Sequence, residues 1–226
     1  MAKITALRIG RTGNMVDIFV DNDFLSGVHR DVIVKVGLRV GQELTIDQID
    51  EIKKANLVYI CYEAALQYLG YRARSEAEVS HRLCRRGFDS EVVDEVIVKL
   101  KEQKLIDDTA FAQYWRDNRL SYSPRSRRLI KSELRLKGIS AEIAEDMIED
   151  IDDEASAFEV GCRKARTLAT ADYDEFCRRL SGHLRWRGFS YEVINRVITC
   201  LWQQQKNVSI HNSFLVDSLD TNTIDD

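Results

Sequence analysis

One ten-residue string occurs three times in the chain: LCRRGFDSEV at residues 83–92, LRLKGISAEI at 134–143 and LRWRGFSYEV at 184–193. Each copy reads Leu-x-x-basic-Gly-apolar, followed by Asp or Ser and, two positions later, by Glu and then Val or Ile. The three glycines recur at intervals of 51 and 50 residues. Such regular recurrence predicts a tandem structural repeat of about 50 residues.

The string has the features of a corner between two helices. Basic residues in the last turn of a helix face the negative end of its dipole, and Gly at the next position supplies a left-handed C-cap. The apolar residue that follows enters the core, and Asp or Ser then N-caps the next helix, whose first turn carries a Glu. Each repeat is therefore expected to contain a helix–turn–helix corner.

Apolar periodicity around the corners predicts three helices in each repeat. They are expected at 62–70, 75–86 and 89–104, at 108–121, 125–137 and 140–150, and at 154–170, 173–187 and 190–205. One module has too little apolar surface to bury, so the three modules should stack into an elongated, curved array. The expected domains are a linking helix with the first module (47–106), the second module (107–152), the third module (153–205) and a flexible acidic tail (206–226).

Residues 1–46 are expected to form a small antiparallel β segment. Apolar and other residues alternate in 16–20 and again in 32–40, which is the period of a strand with one buried face. The segments 12–14 and 21–23, Thr-Gly-Asn and Asp-Asn-Asp, have the composition of turns. A sheet of this size does not stand alone and should pack on the helices that follow. The expected fold class is mainly α, with a small β segment in front of three helical modules.

Composition restricts the class of protein. The 226 residues are 44% hydrophobic and 31% charged, which argues against disorder. No stretch approaches the ~18–20 apolar residues of a membrane span, and the N-terminus lacks the apolar core of a signal peptide, so a cytoplasmic location is expected. The five cysteines form no CxxC pair and the four histidines are scattered. We expect buried, reduced thiols, no metal site and no cofactor.

The formal net charge is −4, but the charges are segregated. Residues 142–154 carry eight acidic residues and no basic one, whereas the helix at 125–137 carries six basic residues against Glu133 alone. The six are Arg125, Arg127, Arg128, Lys131, Arg135 and Lys137. At 100° per residue, Arg128, Lys131 and Arg135 share one stripe, and the helix would bury Leu129, Leu134 and Leu136 instead. This stripe is a candidate surface for a protein partner or DNA; a solvated helix face is the alternative.

Other candidates are weaker. Tyr114 and Arg119 are surface candidates on the helix in which Phe111 and Trp115 are expected to be core. The basic corners are candidates too, although basic helix ends are also ordinary dipole chemistry. They comprise Arg82, Arg85 and Arg86 in the first module and Arg178, Arg179, Arg185 and Arg187 in the third. The acidic pair at 107–108 is better explained as a helix N-cap than as a catalytic pair.

Three further segments carry a family resemblance. They are LIDDTAFAQYWRDNR at 105–119, the run from Pro124-Arg125 through IKSELRLKGI at 130–139, and ALQYLGYRARSEAE at 65–78. The region 60–205 resembles the RecX family, bacterial regulatory proteins of the RecA recombinase. The resemblance implies three three-helix modules and a non-catalytic, cofactor-free monomer that binds the RecA filament on single-stranded DNA. It also implies restraint of filament extension, ATP hydrolysis and strand exchange, and hence a role in recombination, DNA repair and the SOS response.

Two other classes of function remain open. A sequence-independent nucleic-acid-binding helical protein would use the basic stripe, with weak direct DNA contact, although the net acidity of the chain argues against it. An enzyme would need a reactive constellation. The sequence has no Gly-rich phosphate loop, nucleophile elbow or metal-ligand spacing, so we expect no catalytic activity.

Overall fold

The computed structural model describes the backbone of residues 2–10 and 13–220, and within these ranges the side chains as far as residue 206. The chain divides into two compact units, Met1–Asp108 and Thr109–Asp226. Each unit is described by itself.

The first unit begins with an antiparallel sheet of four strands in the order β3-β2-β1-β4. The strands are β1 (Ala2–Ile9), β2 (Met15–Val20), β3 (Asp23–His29) and the short β4 (Glu43–Leu44). A tight turn joins β2 to β3, and Asp21 and Asn22 both adopt positive φ there, at 50° and 74°. Asp and Asn tolerate this backbone region, which explains the turn composition of the sequence.

The sheet packs on a long helix, α2 (Ile46–Leu69). Ile4, Ile18 and Val28 from the strands share a core with Ile52 of this helix. The buried Asn56 of α2 joins the two layers: its Nδ2 donates to the Gly27 carbonyl at 3.2 Å, and its Oδ1 accepts from the His29 N–H at 2.8 Å. The expectation that the sheet packs on the following helix is confirmed.

The prediction of a strand at 32–40 is wrong. Residues Arg30–Val36 form helix α1, and Gly37 ends it in the left-handed conformation at φ 72°. Val32 is buried while Val34 is 73% exposed, so the apolar alternation does not mark a buried face. The caps decide the structure of this short segment: His29 Nδ1 accepts from the Asp31 N–H, and the Gly37 N–H donates to the Ile33 carbonyl.

The first module consists of the C-terminal half of α2, α3 (Glu76–Cys84) and α4 (Ser90–Glu102). Cys61, Val79, Leu83, Val93 and Leu100 form its core. Because α2 runs unbroken from residue 46, one helix serves both as the support of the sheet and as the opening helix of the module. Ser75 N-caps α3 by accepting from the Glu78 N–H at 3.2 Å.

The second unit contains the other two modules. Helices α5 (Asp108–Tyr122), α6 (Arg127–Leu136) and α7 (Ala141–Asp146) form one of them. Helices α8 (Asp153–Ala165), α9 (Tyr173–Trp186) and α10 (Tyr191–Asp220) form the other, with a 3₁₀ turn at Arg166–Leu168. The closing helix α10 was expected to end near residue 205 but continues to Asp220. The expected acidic tail therefore begins as helix, and residues 221–226 lie outside the described residues.

The three corners have the expected geometry. Gly87, Gly138 and Gly188 have φ of 93°, 83° and 85°, the left-handed conformation of a C-cap. The residue after each glycine packs inward: Phe88 is partly buried, and Ile139 and Phe189 are buried. Ser140 and Ser190 cap the following helices with their hydroxyls, whereas Asp89 makes no such side-chain hydrogen bond. The mainly α fold with three three-helix modules behind a small antiparallel sheet is confirmed.

The cysteines are free but not uniformly buried. Cys61 is fully buried, and burial raises the pKa of its thiol to about 11. Cys84 and Cys200 are exposed, which contradicts the expectation of buried thiols at these two positions. Both lie in apolar sequence but on the solvent face of their helices.

Candidate functional site

The candidate site centres on α6, whose two faces differ sharply. Ile130 and Leu134 are fully buried and anchor the helix to its module. Leu129 is half-buried, whereas Leu136 is 85% exposed, so the expectation that Leu136 is buried is wrong. At 100° per residue, Arg128 and Arg135 lie well away from Ile130 and Leu134. Arg127 lies at nearly the same angle as Leu134, but it is the first residue of the helix and its side chain is exposed.

The three residues of the predicted stripe differ in their partners. Arg128 is exposed and, in the ranges that the structure describes, has no carboxylate within ion-pair distance; the same holds for the guanidinium of Arg127. Lys131 forms an ion pair with Glu145 of α7. Arg135 Nη1 donates to the Ile139 carbonyl at 2.6 Å. Arg127 and Arg128 are therefore the basic groups of α6 that are most available to an acidic partner.

Glu133 binds several of the remaining basic side chains. Its carboxylate accepts from Arg119 Nε at 2.7 Å and from Trp115 Nε1 at 2.8 Å, and it also pairs with Arg125. Burial raises the pKa of this carboxyl, but the hydrogen bonds from Arg119 and Trp115 and the charges of both arginines outweigh burial, so the pKa lies below its usual range. Arg119 and Arg125 thus share the single negative charge of Glu133 inside the module.

The aromatic residues of α5 also have internal roles. Phe111 is buried and stacks on Trp115 with 6.0 Å between ring centres, which supports the core interpretation of this pair. The Arg119 guanidinium lies 4.4 Å from the centre of the Trp115 ring, and Lys137 Nζ lies 5.0 Å from it. Tyr114 is exposed. Of these candidates, Tyr114 is the one whose side chain lies at the surface.

Asp108 has a structural partner. It is the first residue of α5, and its Oδ1 accepts from the N–H of Glu76, the first residue of α3, at 2.8 Å. Burial raises the pKa of Asp108, and the Glu76 N–H bond opposes this shift. Asp153 plays the same part in the second unit, where it accepts from the Arg127 N–H at 2.7 Å. In both cases an Asp at the start of one helix satisfies a free N–H at the start of another.

The basic corners of the outer modules are exposed to different degrees. Arg82, Arg85 and Arg86 are all exposed, and the Arg82 guanidinium lies 5.7 Å from the centre of the Tyr68 ring. In the third module Arg179 pairs with Glu175 at 2.6 Å. Arg178 and Arg185 line an open groove of about 630 Å³ between α9 and α10. The first-module corner lies in the first unit, and α6 lies in the second.

Sequence reasoning missed Trp186. The side chain is 71% exposed, and the guanidinium carbons of Arg125 and Arg187 lie 5.7 and 5.6 Å from the centre of its ring. The repeat could have indicated its exposure, because Trp186 occupies the same corner position as Leu136 and Arg85, which are also exposed. Its contact with Arg125 joins two modules and has no signal in the local sequence.

Two kinds of feature are absent from the described residues. No cluster of three or more His, Cys, Asp or Glu side chains is arranged to hold a metal ion there. No helix in the same part of the chain is long and apolar enough to cross a membrane.

Comparison with family models covers all three modules. Residues 61–100 match the first three-helix domain of RecX, residues 107–148 the second, and residues 152–198 the third. Regulatory protein RecX of Leuconostoc mesenteroides is 30% identical over 207 residues, which cover 88% of this chain and 77% of the relative. The regulatory protein RecX of Clostridium perfringens strain SM101 is 28% identical and covers 88% of this chain and 95% of its own.

Solved structures give the same result. A crystal structure of a regulatory protein RecX superposes with a TM-score of 0.68 over 87% of this chain and 98% of its own, at 24% identity, which supports the fold alone. The crystal structure of RecX from Lactobacillus salivarius has a TM-score of 0.57 and 28% identity, over 65% of this chain and 97% of its own. The three matched helical domains and the 30% identity to the Leuconostoc mesenteroides protein together show that this chain belongs to the RecX family.

Proposed function

We propose that this protein binds the RecA filament on single-stranded DNA and inhibits filament extension, ATP hydrolysis and strand exchange. The observation that carries the proposal is the solvent-facing basic side of α6, which lies in the middle one of the three RecX domains. Its exposed Arg127 and Arg128 are free to pair with acidic residues of a protein partner.

The proposed function is that of a non-catalytic regulator, which acts in the cytoplasm as a monomer. Three carboxylates of the second unit support the non-catalytic part of this proposal, because each is engaged in a structural pair. Glu133 binds two arginines and Trp115, Glu145 binds Lys131, and Asp153 binds a backbone N–H. The candidate contact residues are Tyr114 and the exposed basic residues Arg82, Arg85, Arg86, Arg127, Arg128 and Arg135.

The first experiment is RecA-catalysed ATP hydrolysis on single-stranded DNA, with this protein titrated below the RecA concentration. Inhibition at well below one molecule per RecA is the expected result, because a regulator that acts on filament growth affects many subunits at once. Hydrolysis that stays unchanged up to equimolar protein would overturn the proposal.

The contact surface is tested by charge reversal. Reversing Arg128, Lys131 and Arg135 together to Glu should weaken inhibition, but Lys131→Glu would also face Glu145, so circular dichroism must show that the variant is folded. Arg128→Glu is the cleaner single change, because Arg128 is exposed and breaks no ion pair within the described residues. We expect it to raise the half-inhibitory concentration at least about fivefold, or ~1 kcal/mol.

The matched control is Lys54→Glu. Lys54 is exposed on α2 in the first unit and, among the described side chains, has no ion-pair partner, so this variant changes the net charge equally without touching α6. Equal inhibition by Arg128→Glu and Lys54→Glu would remove the basic side of α6 from the proposed contact surface.

A further inference from the structure

Two arginine side chains contact one exposed indole at the place where the corner of the third module meets the start of α6. We call Arg125, Trp186 and Arg187 the module joint. The guanidinium carbons of Arg125 and Arg187 lie 5.7 and 5.6 Å from the centre of the Trp186 ring. These distances approach the outer limit of a cation–π contact, about 6 Å, and the ring remains 71% exposed. The arginines therefore contact the indole and leave most of its surface exposed.

The backbone fixes the parts of the module joint relative to each other. The N–H of the buried Ser126 donates to the Arg187 carbonyl at 3.0 Å. A Cβ at Gly188 would lie 2.6 Å from Ser126 Oγ and 2.9 Å from Leu129 Cβ, so the glycine permits an approach that no other residue would allow. A site held in this way loses little conformational entropy when it binds a ligand.

Positive charge at the module joint exceeds the negative charge that compensates it. Arg125 shares Glu133 with Arg119, and Arg163 nearby pairs with Glu159. Arg187 has no ion-pair partner among the described residues. Burial lowers the pKa of its guanidinium, and the charges of Arg125 and Arg163 lower it further. Crowding of like charges in this way costs free energy that an anion would recover.

The guanidinium groups are also held in place by packing. The Nε atoms of Arg125 and Arg187 are buried and find no hydrogen-bond partner within the described part of the chain. Buried donors of this kind are uncommon in folded proteins and need an explanation. The burial of these two atoms shows that both guanidinium groups are packed against the protein on their Nε side.

We propose that the module joint binds single-stranded nucleic acid, with Arg187 and Arg125 on a backbone phosphate and Trp186 stacked on an adjoining base. Guanidinium groups match the geometry of phosphate oxygens, and an exposed indole beside them is the platform on which an unpaired base stacks. An acidic protein segment would pair with the arginines but would leave the apolar indole face unused. The proposal goes beyond the inhibition of RecA, because it requires no RecA.

The test is direct binding of a fluorescein-labelled 15-mer of deoxythymidylate to the full chain, without RecA, by fluorescence anisotropy at several salt concentrations. Trp186→Ala should weaken binding about 5- to 100-fold and leave the salt dependence unchanged, because stacking involves no counterion release. Arg187→Met keeps the aliphatic stem and should make the slope of log K against log salt concentration shallower by about 0.7, the value for one phosphate contact on a single strand.

Two further variants complete the experiment. Trp186→Phe should retain most of the affinity because the phenyl ring still stacks, which distinguishes stacking from disruption of the joint. Lys54→Gln removes one exposed charge in the first unit and should change neither affinity nor slope by as much as Arg187→Met. Absence of binding by the unmodified chain, or unchanged binding by both Trp186→Ala and Arg187→Met, would overturn the proposal whether or not the protein inhibits RecA.

Discussion

Gly188 and Gly182 lie six residues apart and have opposite requirements. Gly188 is left-handed, at φ 85°, and a Cβ there would collide with Ser126 and Leu129. Gly182 lies inside α9, and no atom lies within 4 Å of the position a Cβ would take. A left-handed non-glycine residue costs about 1–2 kcal/mol and overpacking another ~1–3, whereas Ala in a helix interior is favoured over Gly by about 0.5–1.

The same substitution should therefore change stability in opposite directions. We expect Gly188→Ala to lower the free energy of unfolding of the second unit by at least about 2 kcal/mol, and Gly182→Ala to raise it by about 0.5–1 kcal/mol. Urea unfolding followed by tryptophan fluorescence measures this unit alone, because Trp115, Trp186 and Trp202 all lie in it. Changes of the same sign in the two variants would show that the joint is not tightly packed at Gly188.

Glu133 anchors α6 to its module in addition to the apolar face of the helix. The Glu133 carboxylate lies on the same helix as the cations of the predicted stripe, but it binds Arg119 from α5 and Arg125 from the preceding loop. All three side chains are less than one quarter exposed. Removal of the carboxylate would leave two arginines partly buried without a counter-charge, which costs more than the loss of a surface ion pair.

Glu133→Gln tests this network at the level of the helix. We expect a loss of about 2–3 kcal/mol at pH 7, measured by urea unfolding. Since the folded-state pKa of Glu133 is lowered, its contribution is present above the ordinary pKa of 4.5 and is lost as the pH falls through the folded value. The difference between the variant and the unmodified protein should therefore shrink below about pH 4.5. Glu142→Gln, at an exposed position of α7, is the control, and equal stability of the two variants would contradict the role of Glu133.

Elements were predictable from sequence where their signals are local. The corner string contains its own C-cap, core residue and N-cap, so the helices of all three modules were placed within a few residues, except for the start of α2 and the end of α10. Helix α1 was missed because alternating valines favour a strand, and the caps at His29 and Gly37 outweighed that pattern. The partners of α6 were missed for another reason: Arg119 and Lys131 reach Glu133 and Glu145 only after the helices pack. A charge count along the sequence therefore overestimates the positive charge available at the surface.

At the scale of the whole molecule, the repeat was the most informative signal in the sequence, but it did not predict the contacts between modules. The three corner strings are similar, but their surroundings in the structure differ. A Cβ at Gly87 would meet no atom within 4 Å, whereas Gly188 is closed in by α6. The position before the basic residue carries Arg85, Leu136 or Trp186, all exposed. The chain can therefore present different chemistry from equivalent places in its modules, and only the third corner presents an indole.

If the basic side of α6 and the module joint have separate partners, they should be separable by mutation in one protein. Arg128→Glu should raise the half-inhibitory concentration for RecA at least about fivefold and should weaken binding of the deoxythymidylate 15-mer less than Trp186→Ala does, because the guanidinium groups beside Trp186 are those of Arg125 and Arg187 and not that of Arg128. Trp186→Ala should show the reverse pattern. In the double variant the two effects should add within about 0.5 kcal/mol in each assay, as expected for sites that share no partners. Comparable losses in both assays from either single variant would mean that one continuous surface binds both ligands.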